Sequence, residues 1–104
     1  HYKTALLSNT SSRGLEARFT PEELAAHFDV VVASGVVGYA KPEAQAYEIT
    51  AERLGVRLAE CVMVDDREDY CAGARGVGMQ TILYTDLITM RRELADILEK
   101  TDGA

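Results

Sequence analysis

The chain has 104 residues, with 17 acidic side chains against 11 basic ones and a formal net charge of −6. Its hydrophobic fraction of 47% is ordinary for a globular protein, which excludes disorder as the expected state. The negative balance offers no cationic surface to a phosphate backbone, so we expect no nucleic-acid partner. No uncharged run reaches the roughly 20 apolar residues that a transmembrane helix needs, so we expect no membrane partner either.

The cysteine content and the first residues bear on the cellular setting. Cys61 and Cys71 are too few for a disulfide scaffold or a zinc cluster, which predicts free thiols and a cytoplasmic location. The N-terminus shows no basic segment followed by an apolar core, so no secretory leader is expected. Because the chain begins with His1 rather than Met, we expect further residues upstream in the natural protein.

Short apolar runs alternate with amphipathic stretches along the chain. The apolar runs predict buried strands at residues 4–7, 28–33, 61–64 and 80–84. The amphipathic stretches predict helices at residues 20–27, 42–55, 68–78 and from 85 onward. This alternation implies right-handed crossovers and a mainly parallel sheet with helices on both faces. The expected fold is one three-layer, Rossmann-like α/β domain over residues 1–104, with a sheet of about four strands.

Polar side chains follow three of the four predicted strands, at the sheet edge where open parallel sheets bind ligands. The first strand ends in Ser8 and Asn9, whose hydroxyl and amide suit phosphate oxygens. The second leads into Lys41, whose ammonium at a helix start favours an anion. The third ends in Asp65 and Asp66, a carboxylate pair that suits Mg²⁺ together with a substrate phosphate.

Each of these features also has a purely structural interpretation. Ser8 and Asn9 are typical of a turn, and Lys41 before a proline is typical of a solvated helix start. The acid pair is more informative, because adjacent carboxylates cost stability unless a cation neutralises them. The three features in this order are much more specific than any one of them.

At these segments the chain resembles the C-terminal part of the haloacid dehalogenase-like (HAD) superfamily hydrolases. Residues 5–9 are similar to the family's second motif, an apolar strand that ends in Ser or Thr. Residues 38–43, with Tyr47 downstream, resemble the third motif and carry its lysine. Residues 62–66 and the helix after them resemble the fourth motif, and the whole resemblance covers about residues 4–85.

The resemblance implies magnesium-dependent phosphoryl transfer from a small phosphorylated metabolite to an aspartate nucleophile, or carbon–halogen cleavage in the dehalogenase branch. Carried over by position, Ser8 and Lys41 hold the phosphoryl group together with Asn9, and Lys41 also neutralises the nucleophile. Asp66 is a magnesium ligand, directly or through water. Asp65 supports the metal shell or orients Lys41, so the implied catalytic residues are Ser8, Lys41 and Asp65.

Two departures from the family pattern bear on activity. The family often has Asp or Asn four residues after the second acid, where this chain has Tyr70. Asp69 is adjacent, but its side chain points about 100° away from that of residue 70, because each helical residue rotates by that angle. The family's first motif, a central strand ending in Asp-x-Asp, occurs nowhere in these residues, and a cap domain is missing too. We therefore expect an altered metal shell and a partial core domain, without the usual first strand, that is inactive by itself.

Two other functions are weighed against this one. A non-catalytic binding or interaction module would use the same phosphate and metal cradle, and the absent central strand would leave strand edges for a homodimer or a strand-swapped oligomer. A phosphoacceptor receiver domain has its acid pair early, its lysine late and an acceptor aspartate between them. Here Ser8 and Lys41 precede the acid pair, which disfavours that interpretation.

Overall fold

The computed structural model describes residues 2–102, in which the four predicted strands and four predicted helices are present, together with two short helices that were not predicted, at Ser12–Arg18 and Ser34–Val37. The strands are β1 (Ala5–Ser8), β2 (Val30–Ala33), β3 (Val62–Asp65) and β4 (Gln80–Leu83). The helices are α1 (Ser12–Arg18), α2 (Pro21–His27), α3 (Ser34–Val37), α4 (Ala44–Leu54), α5 (Glu68–Gly76) and α6 (Leu87–Asp102), with a 3₁₀ turn at Leu58–Glu60. None of the described helices is long and apolar enough to cross a membrane.

The strands form two parallel pairs rather than one continuous sheet. β1 pairs with β2, placing Ser8 opposite Ala33, and β3 pairs with β4, placing Asp65 opposite Leu83. Within residues 2–102 no ladder of hydrogen bonds joins one pair to the other. All four predicted strands are therefore present, and β1 and β3 each keep one edge without a strand partner in the described part of the chain.

Local sequence signals predicted several helix ends. The Thr20 hydroxyl accepts a hydrogen bond from the Glu23 backbone N–H at 3.1 Å, and the Glu23 carboxylate accepts one from the Thr20 N–H at 3.0 Å, which begins α2 with the expected capping box. Gly55 ends α4 in the left-handed conformation with φ 73°. The Asp86 carboxylate accepts a hydrogen bond from the Thr89 N–H at 2.8 Å before α6.

The helix α1 was not predicted from the sequence. It begins after Ser11, whose hydroxyl accepts a hydrogen bond from the Gly14 N–H at 3.0 Å. Leu15, 7% exposed, is its one buried apolar residue, so the segment lacks the repeating apolar positions that reveal an amphipathic helix. A single cap and one anchor are enough here because the helix packs within the folded domain.

The helix α4 connects the two strand pairs through a shared core. The core cluster takes residues from the first pair, from α4 and from the region of α5: Leu7, Val32, Ala46, Tyr47, Ala74 and Met79. Tyr47 is its largest fully buried side chain. Because α4 contributes the central residues, the apolar core is continuous although the strands are not.

Candidate functional site

An ion pair joins the two halves of the molecule at the carboxyl ends of the strands. Lys41 lies between α3 and α4, and Asp65 is the last residue of β3. The Lys41 Nζ lies 2.7 Å from the Asp65 Oδ2, and the two side chains are only 10% and 9% exposed. Two predicted site residues, far apart in the sequence, are thus in direct contact.

The surroundings of Asp65 favour its charged form. Burial alone would raise the pKa of Asp65, because a low-dielectric environment disfavours a carboxylate. Hydrogen bonds from the Lys41 ammonium and from the Arg67 N–H, which lies 3.1 Å from Oδ1, act in the opposite direction, as does the positive charge of Lys41. Together they hold the pKa of Asp65 below its usual value, so the pair is ionic near neutral pH.

Asn9 holds the backbone of Lys41. Its Oδ1 accepts a hydrogen bond from the Lys41 N–H at 2.8 Å, and its Nδ2 donates one to the Lys41 carbonyl oxygen at 3.0 Å. The same Nδ2 also donates to the Tyr70 hydroxyl at 3.1 Å. The side chain after β1 is therefore bound to the lysine of one loop and to the first turn of α5.

The Tyr70 ring contacts two cationic groups. Its ring centroid is 4.8 Å from the Lys41 Nζ and 4.4 Å from the guanidinium carbon of Arg67. Both distances are within the range of a cation–π contact. The sequence marked Tyr70 as a departure from the family pattern but did not predict these contacts; an aromatic residue three positions after an arginine was the available signal.

Tyr47 supports Tyr70 from the core. The Tyr47 hydroxyl donates a hydrogen bond to the Tyr70 carbonyl oxygen at 2.6 Å, and the Tyr47 side chain is fully buried. Burial, followed by the negative charge of Asp65, raises the pKa of Tyr47 to about 12. Tyr47 therefore keeps its proton and acts as a hydrogen-bond donor at neutral pH.

Cys71 packs beneath the acidic strand end. Its Sγ lies 3.7 Å from the carbonyl oxygens of Asp65 and Ile82, and the residue has no exposed surface. Burial, followed by the charge of Asp65, raises the pKa of the Cys71 thiol. A buried, protonated thiol is poorly suited to be a nucleophile, so Cys71 has a packing role.

Ser8 and Asp66 flank the ion pair in sequence. Ser8 is the half-buried last residue of β1, and Asp66 is exposed directly after β3. Over residues 2–102, no three acidic, histidine or cysteine side chains gather into a metal-binding group. The donor set still fits Mg²⁺, which proteins commonly bind through one or two carboxylates, with water and substrate phosphate completing the shell. Both Asp65 oxygens already accept hydrogen bonds, so Asp66 is the carboxylate better placed for direct coordination.

These observations define an α/β domain with polar and charged side chains at the carboxyl ends of parallel strands, where Rossmann-like proteins bind their ligands. The chain belongs to the haloacid dehalogenase-like hydrolases, and a model of that family matches residues 1–78. This confirms both the predicted family and the predicted fold class.

Individual proteins agree with the family assignment. The chain is 40% identical to "Phosphatase MT3486" of Mycobacterium tuberculosis over 98% of its length, and spans about half (49%) of that relative. An uncharacterised protein from Corynebacterium glutamicum has the same fold, with a TM-score of 0.82 and 28% identity over 90% of this chain and 69% of the other. A HAD-family enzyme from Bacteroides thetaiotaomicron, solved with magnesium and inorganic phosphate, has a TM-score of 0.70 and 26% identity over 81% of this chain and 46% of the other.

Proposed function

We propose that the chain is part of a magnesium-dependent phosphatase that acts on a small phosphorylated metabolite through an aspartate nucleophile outside these 104 residues. The observation that carries the proposal is the part-buried Lys41–Asp65 ion pair at the strand ends, with Asp66 next to it. The Mycobacterium tuberculosis phosphatase relative, and the magnesium and phosphate in the Bacteroides enzyme, support the same chemistry.

The proposed roles follow from charge and position. Phosphoryl transfer requires mainly the positioning of reactants and the stabilisation of negative charge. Ser8 and Lys41 would bind the phosphate, and Asn9 would act through its hydrogen bonds to the Lys41 backbone. The Lys41 ammonium would neutralise charge on the phosphoryl oxygens and the nucleophile. Asp65, held as a carboxylate, would orient Lys41.

The proposed metal ligands are Asp66 and Asp65. Asp66 would coordinate magnesium directly or through water, and Asp65 would support the shell while bonded to Lys41. When bound, magnesium supplies positive charge that stabilises the phosphoryl oxygens.

The nucleophile is proposed to enter on a strand between β1 and β3. Each of these strands has an unpaired edge in the described residues. Hydrogen bonds from Asn9 to Tyr70 and from Lys41 to Asp65 bring their carboxyl ends together. A strand ending in Asp-x-Asp would complete the hydrogen bonding of both edges and present its carboxylate beside Lys41.

Magnesium titration of the full-length protein tests the metal site without relying on turnover. Asp66→Asn should weaken magnesium binding by at least tenfold, roughly 1.4 kcal/mol, as measured by calorimetry. Asp96→Asn, at an exposed position of α6, is the matched control and should leave the affinity unchanged. Equal magnesium affinity in the Asp66 variant and the control would refute the metal assignment.

Activity of the full-length protein tests the reaction itself. We expect magnesium-dependent release of phosphate from small phosphate esters, and loss of that release in the 104-residue chain because the nucleophile is absent. Halide release from haloacids, measured beside it, distinguishes the dehalogenase branch. Absence of phosphate release by the full-length protein would reject the phosphatase proposal.

The unpaired strand edges favour one alternative, a non-catalytic module that assembles through β1 and β3. It predicts a homodimer or strand-swapped oligomer of the 104-residue chain, whereas a monomer at micromolar concentration in light scattering would oppose it.

Both cysteines are free thiols in the structure, which supports the proposed cytoplasmic location of either form.

A further inference from the structure

Lys41 is held at both its backbone and its side chain. Its N–H and C=O both bond to the Asn9 amide, its ammonium bonds to Asp65, and the Tyr70 ring lies against that ammonium. Lysine has a flexible four-carbon stem that ordinarily samples many rotamers. Contacts at both ends of the residue restrict the volume in which the ammonium can lie.

The Asn9 amide is committed to these contacts. A side-chain amide has two N–H donors, and Asn9 directs its Nδ2 to the Lys41 carbonyl and the Tyr70 hydroxyl. Its oxygen accepts from the Lys41 N–H. An Asn9 that kept this arrangement would have no amide hydrogen left for a phosphate oxygen.

Tyr70 completes the arrangement and is itself fixed. Its carbonyl oxygen accepts the Tyr47 hydroxyl at 2.6 Å, which ties the first turn of α5 to the buried face of α4. Its hydroxyl then gives Asn9 an acceptor, and its ring gives Lys41 a negative π face. A shorter side chain, such as the Asp or Asn common at this family position, would lack the ring.

We propose that Asn9 and Tyr70 act as one positioning unit for Lys41: Asn9 fixes its backbone, and Tyr70 fixes Asn9 and lies against its ammonium. The effect on turnover rests on the proposed phosphatase function, whereas the positioning itself does not. The unit holds the Lys41 ammonium in position before substrate binds, so the lysine side chain needs less rearrangement during the reaction.

A double-mutant cycle in the full-length protein separates positioning from direct phosphate binding. Tyr70→Phe keeps the ring and removes the acceptor for Asn9, and Asn9→Ala removes the amide. Each should lower kcat about tenfold, since small displacements of a catalytic group are costly, with KM changed less than kcat. The double variant should be no slower than the slower single one, because both changes disable the same unit.

A nuclear magnetic resonance measurement tests the same unit without substrate or metal. The Lys41 ammonium should give a hydrogen-exchange-protected ¹⁵Nζ signal in the wild type, and that signal should lose its protection in Tyr70→Phe and in Asn9→Ala. A purely structural role would lower the unfolding free energy without changing the signal of the folded protein. Tyr84→Phe, at an exposed position directly after β4, is the matched control for Tyr70→Phe. Gln45→Ala, at an exposed position of α4, is the matched control for Asn9→Ala.

Each result of these two experiments either supports or overturns the positioning unit. Loss of protection with non-additive kinetics supports the positioning unit, and loss of protection in a protein without phosphatase activity supports the unit while rejecting the proposed function. An unchanged Lys41 signal in both variants overturns the unit, as do additive kinetic effects with a raised KM for Asn9→Ala alone, which would make Asn9 a direct phosphate ligand. If Asn9→Ala does not fold, the signal of Tyr70→Phe decides.

Discussion

The two strand pairs differ in how their functional residues are held. The β1–β2 half contributes neutral groups and one cation, and its loop conformation depends on the Asn9 amide. The β3–β4 half contributes Asp65 and Asp66, and the charge of the part-buried Asp65 is neutralised by Lys41. Because no strand ladder joins the halves within residues 2–102, side chains and α4 hold them together. The contacts of the candidate site therefore also link the two strand pairs, so changes there should affect function and stability together.

The largest expected effect comes from breaking the ion pair. Lys41→Met leaves the Asp65 carboxylate, 9% exposed, without its counter-ion and should reduce the free energy of unfolding by about 3 kcal/mol in urea denaturation with chelator present. Arg57→Met is the matched control, because the Arg57–Glu60 pair has side chains 83% and 49% exposed; it should cost less than about 1 kcal/mol. Similar losses of stability in the two variants would contradict the shielding of the Lys41–Asp65 pair from solvent.

The next effect compares two glycines of α5. A Cβ at Gly73 would lie 2.7 Å from the Pro42 Cβ and 2.8 Å from the Pro42 oxygen. Gly73→Ala should therefore lower the free energy of unfolding by about 1–3 kcal/mol, because the added methyl group overpacks the contact between α5 and Pro42. At Gly76 a Cβ meets nothing within 4 Å, and Gly76→Ala should stabilise the protein by about 0.4–1 kcal/mol. Thermal unfolding of both variants checks this prediction, and a stabilised Gly73→Ala would show that α5 and Pro42 are farther apart than the structure has them.

The third effect concerns pH. The pKa of Tyr47 is raised from 10.0 to about 12 by burial, so folding favours the protonated phenol. The resulting stability is complete below pH 10 and is lost as pH rises through about 12. Tyr47→Phe removes this contribution, so the difference in unfolding free energy between wild type and variant should shrink over that interval. A difference that stays constant in denaturation at each pH would speak against a buried Tyr47 hydroxyl.

Much of the fold was predictable from local patterns. Apolar runs marked the four strands, and caps such as Thr20 and Gly55 marked helix ends, because these signals act within a few residues. The helices α1 and α3 escaped prediction, since α1 has one buried apolar residue and the four-residue α3 has none. The separation of the strands into two pairs also escaped, because pairing depends on which strands meet in space.

The candidate site divides in the same way. The sequence by itself determined which residue types follow each strand, and therefore that Ser8, Asn9, Lys41, Asp65 and Asp66 were candidates for one edge of the fold. Only the tertiary structure decided that Asn9 bonds to the Lys41 backbone and that the Tyr70 ring contacts both Lys41 and Arg67. The physical reason is that a residue's type sets what it can donate, accept or neutralise, whereas the packing of distant segments decides which partner lies within reach.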